Sequence, residues 1–244
     1  MERIVTRENL HQFAAVYDEA LSGPVRGVLL NFHGLGFREM NPPPSDFERE
    51  CASRGLLPVL PYYGAWSWMN DTAVALTDQI VAAVYEAYRV DPAAPLIASG
   101  GSMGGLASLI YTRYGGQSGL PIPAPAACVA NCPVCDLPYH YTERDDLPRT
   151  LFSAFGHYPM PLEEAMRTAS PLHQADRMPH VPYWIVHGTA DSAVNKERHS
   201  DRLVPLLRQG RQVEYIEVEG MEHCAMPPEV FEQYRQFIFQ QAGV

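Results

Sequence analysis

The sequence has no long apolar run, no surplus of positive charge and few cysteines, and each shortage removes a class of protein. No stretch of the 244 residues approaches the apolar length that crosses a bilayer as a helix. Lys and Arg number 18 against 28 Asp and Glu, a formal net charge of −10. That balance disfavours nucleic acid or an anionic membrane surface as a partner. Five cysteines make an odd set with no even disulfide framework. Cys132-Pro133-Val134-Cys135 is a lone C-x-x-C, and zinc would want a second pair or histidines at ligand spacing. The cysteines are therefore read as ordinary thiols in a reducing compartment, with no metal and no cofactor. Met1-Glu2-Arg3-Ile4 lacks the apolar run of a secretory leader, so a cytoplasmic location is expected. No internal repeat, low-complexity segment or second domain breaks the chain, which is read as one domain over residues 1–244.

What is present is globular: 46% hydrophobic and 19% charged residues, enough for a sizeable core. The 22 prolines cluster at Pro42–Pro44, Pro121–Pro125 and Pro227-Pro228, which are read as ordered loops at element ends. Short apolar runs predict strands at Gly27–Phe32, Leu56–Tyr62, Pro95–Ser99, Ala126–Ala130, Val181–Val186 and Val213–Val218. Phe13–Tyr17 is a further strand-like patch for the sheet edge. Pro58 and Pro61 are expected towards the ends of their strand. Helices are predicted from about Ser45, as N-cap, to Ser53, over Asp71–Tyr88, after residue 102, over Lys196–Arg208 and over Glu229–Gln240. This alternation predicts an α/β fold, a mostly parallel central sheet with helices on both faces. Residues 133–180 interrupt it, and short helices forming a small cap insertion are expected there.

The chain is organised around Pro95–Leu109, PLIASGGSMGGLASL. Gly100-Gly101-Ser102-Met103-Gly104 fits G-x-S-x-G between a strand and a helix, the context of a nucleophile elbow. Gly100, Gly104 and Gly105 leave room for strand and helix to approach. The corner lifts Ser102 Oγ above the sheet beside the first N–H groups of the helix, which suit an anion. A serine hydroxyl needs a base. His223, in Gly220-Met221-Glu222-His223 after the last strand, is at the same sheet end. Asp191, in His187-Gly188-Thr189-Ala190-Asp191 after the strand before it, is the candidate to orient the imidazole. Met103 N–H and Leu35 N–H, the latter in His33-Gly34-Leu35-Gly36, are the candidate oxyanion donors. His33 is left as a structural residue.

With those four motifs in place, the chain resembles an α/β-hydrolase, and specifically the dienelactone-hydrolase and prolyl-oligopeptidase-type catalytic domains. The resemblance implies a serine triad of Ser102, Asp191 and His223 acting on esters, thioesters or amides without a cofactor. Two departures shape the expectation. No propeller precedes the domain in this sequence, which turns the expectation away from a gated peptidase. The nucleophile is serine and not cysteine, which turns it away from a typical dienelactone hydrolase.

The expected activity is hydrolysis of a small-molecule carboxylic ester through an acyl-enzyme. Gly34, Tyr62, Tyr63, Trp66 and Trp68 are candidate pocket residues, with core packing as the alternative role of the aromatics. A serine peptidase acting on short peptides is the alternative enzyme. A non-catalytic binding protein on a hydrolase fold is the alternative from another class. Oligomeric state is not legible.

Overall fold

The computed structural model describes residues 3–244; Met1 and Glu2, the start of the stretch inspected for a leader, lie outside the described residues. Among the described residues there are seven strands: β1 (Ala14–Val16), β2 (Gly27–Phe32), β3 (Leu56–Pro61), β4 (Leu96–Gly101), β5 (Ala127–Asn131), β6 (Tyr183–Gly188) and β7 (Val213–Val218). They form one sheet in the order β1-β3-β2-β4-β5-β6-β7. Only β1 runs antiparallel; its Ala14 pairs with Pro61 and its Val16 with Val59. The other neighbours are parallel, in registers such as Leu29 with Ile97 and Val129 with Trp184.

The run-on apolar character of the central strands follows from burial on both faces. Val28 and Leu30 of β2 face one way with Leu96 and Ala98, against α2 (Asp71–Ala87) and α3 (Met103–Tyr114). Leu29 and Ile97 face the other way, against α1 (Asp46–Ser53) and α8 (Pro228–Ala242). α7 (Ser200–Leu207) covers the first face near β5 and β6. α1 begins with a complete capping box: Glu48 N–H donates to Ser45 Oγ, and Ser45 N–H donates to Glu48 Oε2 at 2.7 Å.

Two expectations are corrected. Pro58 lies in the middle of β3, not near an end. Its carbonyl accepts from Tyr17 N–H at 3.0 Å, so its missing N–H faces the side where short β1 has already ended. α7 begins at Ser200 rather than near Lys196, because Asn195 to His199 forms a separate turn in which Asn195 Oδ1 accepts from Arg198 N–H at 3.0 Å.

Between β5 and β6 the chain folds as short helices: α4 (Leu137–His140), α5 (Leu147–Phe155), α6 (Leu162–Thr168) and a 3-10 helix over Pro171–Arg177. Asp136 caps α4 by accepting from Tyr139 N–H. The chain reverses direction across the sheet between β2 and β4. β3 lies on one side of β2, and β4 to β7 build outward on the other. In an open α/β sheet this switch point, at the carboxyl ends of the strands, is where ligands bind. Among the described residues, no helix is long and apolar enough to cross a membrane.

Candidate active site

Ser102 sits between β4 and α3 with φ 58° and ψ −122°. A side-chain-bearing residue adopts that conformation only when its surroundings impose it. The surroundings here are very close. A Cβ on Gly100 would lie 2.4 Å from Gly104 O, and one on Gly104 would lie 2.1 Å from Phe32 O. α3 can therefore enter against the end of β2 only because those positions carry no side chain. Ser102 N–H donates to Asn131 O at 2.9 Å, which pins the corner to the end of β5.

The loops after β6 and β7 are laced together. Thr189 N–H donates to Val218 O (3.0 Å) and Ala190 N–H to Met221 O (3.2 Å). A Cβ on Gly188 would lie 1.9 Å from Met221 O. This contact sets Asp191 beside His223, with Nδ1 of His223 2.7 Å from Asp191 Oδ2. The Asp191 carboxylate is fully buried, whereas His223 keeps 28% of its side chain exposed. Asp191 Oδ1 accepts from Ala193 and Val194 N–H, both at 2.9 Å. His187 Nε2 lies 3.2 Å from Asp191 Oδ2 and 3.1 Å from Val194 O. Since both of those atoms accept, Nε2 carries the hydrogen, and His187 Nδ1 accepts from Ser200 Oγ at 2.7 Å.

These bonds set the charge states. Burial alone would raise the Asp191 pKa, but the hydrogen bonds from His187, His223 and Val194 hold it well below the usual carboxylate range. Burial pulls the His223 pKa down, yet the adjacent Asp191 carboxylate, helped by Cys132, raises it to about 9. Asn131 links the two halves: its backbone carbonyl holds Ser102 N–H, and its side-chain Nδ2 donates to Cys224 O at 3.2 Å, next to His223.

Ser102 and His223 line one cleft of ≈ 940 Å³. Gly34, Leu35, Trp66 and Trp68 line it too, as do Arg144 and Arg149 from the helical insertion. Trp68 is almost wholly buried, with Nε1 donating to Thr150 Oγ1 at 3.1 Å; Arg149 lies 5.6 Å above the Trp66 ring. Met103 is the first residue of α3, so its N–H belongs to the unpaired first turn. Two expected pocket residues lie elsewhere. Tyr63 is buried in the core, stacked on His33 at 4.3 Å with its hydroxyl donating to His33 O at 2.7 Å. Tyr62 packs against Ala15, Tyr17 and Leu60, with its hydroxyl bonded to Asn41.

Sequence reasoning missed Asn131, His187, Cys224 and the arginines of the insertion. Asn131 and the arginines act on partners distant in sequence, while His187 and Cys224 stand within or beside the quoted motifs, where nothing local shows that His187 reaches the Asp191 carboxylate or Cys224 the His223 ring. Potential metal-ligand atoms gather at Cys132, His223 and Cys224, at Cys132, His187 and Asp191, and at His140, Glu143 and His199.

The sheet order, the strained serine corner and the crevice above β2 and β4 define the α/β-hydrolase fold. No family model and no curated protein matches the sequence, but solved structures do. A puromycin-hydrolyzing peptidase of Mycobacterium tuberculosis superposes with TM-score 0.69 and 22% identity, over 91% of this chain and 35% of that one. A thermophilic esterase of the planctomycete Thermogutta terrifontis gives TM-score 0.65 and 23% identity, over 93% of this chain and 86% of that one. An acylaminoacyl peptidase of Pyrococcus horikoshii gives TM-score 0.72 and 13% identity, over 90% of this chain and 38% of that one. The chain thus spans little more than a third of either peptidase and most of the esterase.

Proposed function

We propose that this chain is a serine hydrolase that cleaves small carboxylic esters through an acyl-enzyme on Ser102. The observation that carries the proposal is the 2.7 Å Asp191–His223 pair opening onto the same cleft as a serine held at φ 58°. Ser102 Oγ attacks the ester carbonyl as His223 Nε2 takes its proton, and Asp191 stabilises the imidazolium through Nδ1–H. Met103 N–H and Leu35 N–H receive the oxyanion. Collapse expels the alcohol, which takes the proton from Nε2. Water, deprotonated by the same nitrogen, then attacks the acyl ester, releases the acid and restores Ser102. Trp66, Trp68, Gly34 and the Arg144–Arg149 stretch flank the substrate.

Hydrolysis of short peptides is the second reading, favoured by the likeness to two peptidases. Parallel ester and amide panels separate the two: turnover confined to amides would displace the ester assignment. For either substrate, Ser102→Ala is expected to abolish turnover of a short-chain nitrophenyl ester or its anilide counterpart. Undiminished turnover would remove Ser102 as nucleophile.

A further inference from the structure

Cys132 and Cys135 look like a pair in sequence but part company in the fold. Cys135 packs with the α7 side of the sheet and Cys132 with the α8 side. The neighbour of Cys132 is instead Cys224, 92 positions away, whose N–H donates to Cys132 Sγ at 3.4 Å. Both cysteines have left-handed backbones, φ 45° and 56°, a conformation uncommon for residues with side chains. Cys224 Sγ lies 3.8 Å from His223 Nε2. The two sulfurs and a ring nitrogen of His223 all lie within 4.8 Å of one another.

Tetrahedral zinc, with Zn–S about 2.3 Å and Zn–N about 2.0 Å, sets sulfur–sulfur edges of roughly 3.8 Å and sulfur–nitrogen edges of roughly 3.5 Å. The observed Cys224–His223 distance is near that edge. Nδ1 of His223 is engaged by Asp191, so its free nitrogen is Nε2, and the carboxylate behind the ring gives the carboxylate–histidine–metal arrangement. The His140–Glu143–His199 cluster differs, because His140 Nδ1 and His199 Nε2 already bond to Glu143 and His199 Nδ1 accepts from the Cys135 and Asp136 N–H groups.

We propose that Cys132, Cys224 and His223 form a binding site for a thiophilic divalent cation such as Zn²⁺, which arrests hydrolysis by occupying His223 Nε2. Binding forms two metal–sulfur bonds and one metal–nitrogen bond, and releases two thiol protons together with the Nε2 proton of the imidazolium. The ring then supplies its Nε2 lone pair and keeps Nδ1–H on Asp191. The fourth position opens to the cleft that His223 and Cys224 line, where water completes the shell. The inhibition rests on the hydrolase proposal above, whereas occupancy of the site does not.

The test titrates reduced, chelator-treated protein with Cd²⁺, read by near-ultraviolet thiolate-to-metal charge transfer, and with Zn²⁺ in the nitrophenyl ester assay. The expected result is a charge-transfer band that saturates at equimolar Cd²⁺, and Zn²⁺ inhibition that EDTA reverses without a reductant. Cys132→Ser, or Cys132→Ala if the serine variant folds poorly, should diminish the band and, measured against the variant's own metal-free turnover, weaken both effects by about tenfold or more. Cys135→Ser should change neither. Absence of the band in the wild type, or a band unchanged in the Cys132 variants, overturns the site whether or not esters are hydrolysed. Inhibition that only a thiol reductant reverses, with a mass loss of two hydrogens, would identify a Cys132–Cys224 disulfide and likewise overturn it.

Discussion

Replacing Asp191 by Asn tests the proposed proton relay at its most buried point. The amide has nearly the shape of the carboxylate but only one acceptor oxygen. Ala193 and Val194 N–H both point at Oδ1 from 2.9 Å, so the amide oxygen settles there and its NH₂ faces the histidines. That NH₂ then meets His223 Nδ1–H and His187 Nε2–H, donor against donor. His223 relieves the clash by moving its hydrogen to Nε2, the nitrogen that must accept from Ser102. A wrong tautomer of this kind costs about 10⁴-fold in kcat. The pH profile supplies an independent reading. With its pKa raised to about 9, His223 is mostly protonated at neutral pH. The wild-type kcat/KM should therefore climb about tenfold per pH unit through neutrality and level off above pH 9. In Asp191→Asn the burial that lowers the pKa remains and the anion that raised it is gone, so the limb moves down to or below the ordinary histidine value. Initial rates on a soluble short-chain ester across pH 6 to 10 measure both effects. A variant whose limb stays near pH 9, or whose plateau lies within tenfold of the wild type, would refute the assignment of Asp191.

Stability should follow the same group: the raised His223 pKa contributes stability in full below pH 6.5 and loses it as pH rises through about 9. Thermal unfolding of the wild type should accordingly fall over that window, and the fall should flatten in Asp191→Asn. Ser102→Gly relieves a backbone held at φ 58° and ψ −122°, so chemical denaturation should show a gain of about 1 kcal/mol alongside loss of turnover. Gly104→Ala drives a methyl to 2.1 Å from Phe32 O; urea titration should show a loss of about 1–3 kcal/mol or more.

The elements whose cause is local were legible in the sequence. Ser45 and Glu48 close a capping box within four residues, and the α1 start follows. Val213–Val218 is bounded by turns and becomes β7 as read. The elbow was legible because its glycines answer a crowding that occurs wherever a helix must start against a strand end. What was not legible depends on distant partners. Nothing near Tyr63 in sequence says that its hydroxyl will reach His33 O and its ring the core, 30 positions away. The C-x-x-C spacing pointed at Cys135, while the fold turned Cys132 towards a cysteine on another loop. Asn131 reads as the last residue of a strand, and only the sheet order shows that it holds the serine corner with its backbone and the histidine loop with its side chain.

The insertion between β5 and β6 supplies cleft walls yet none of the atoms proposed to move protons. It is nevertheless fastened to the loop that follows Asp191: Glu143 accepts from Asn195 N–H at 3.0 Å and from His199 Nε2 at 2.9 Å. Exchanging this segment for a foreign one is thus a way to re-aim substrate choice, provided the graft brings its own acceptor to that junction. A graft without one would strand two donors within eight residues of Asp191, and the damage would surface as slower chemistry rather than as altered preference.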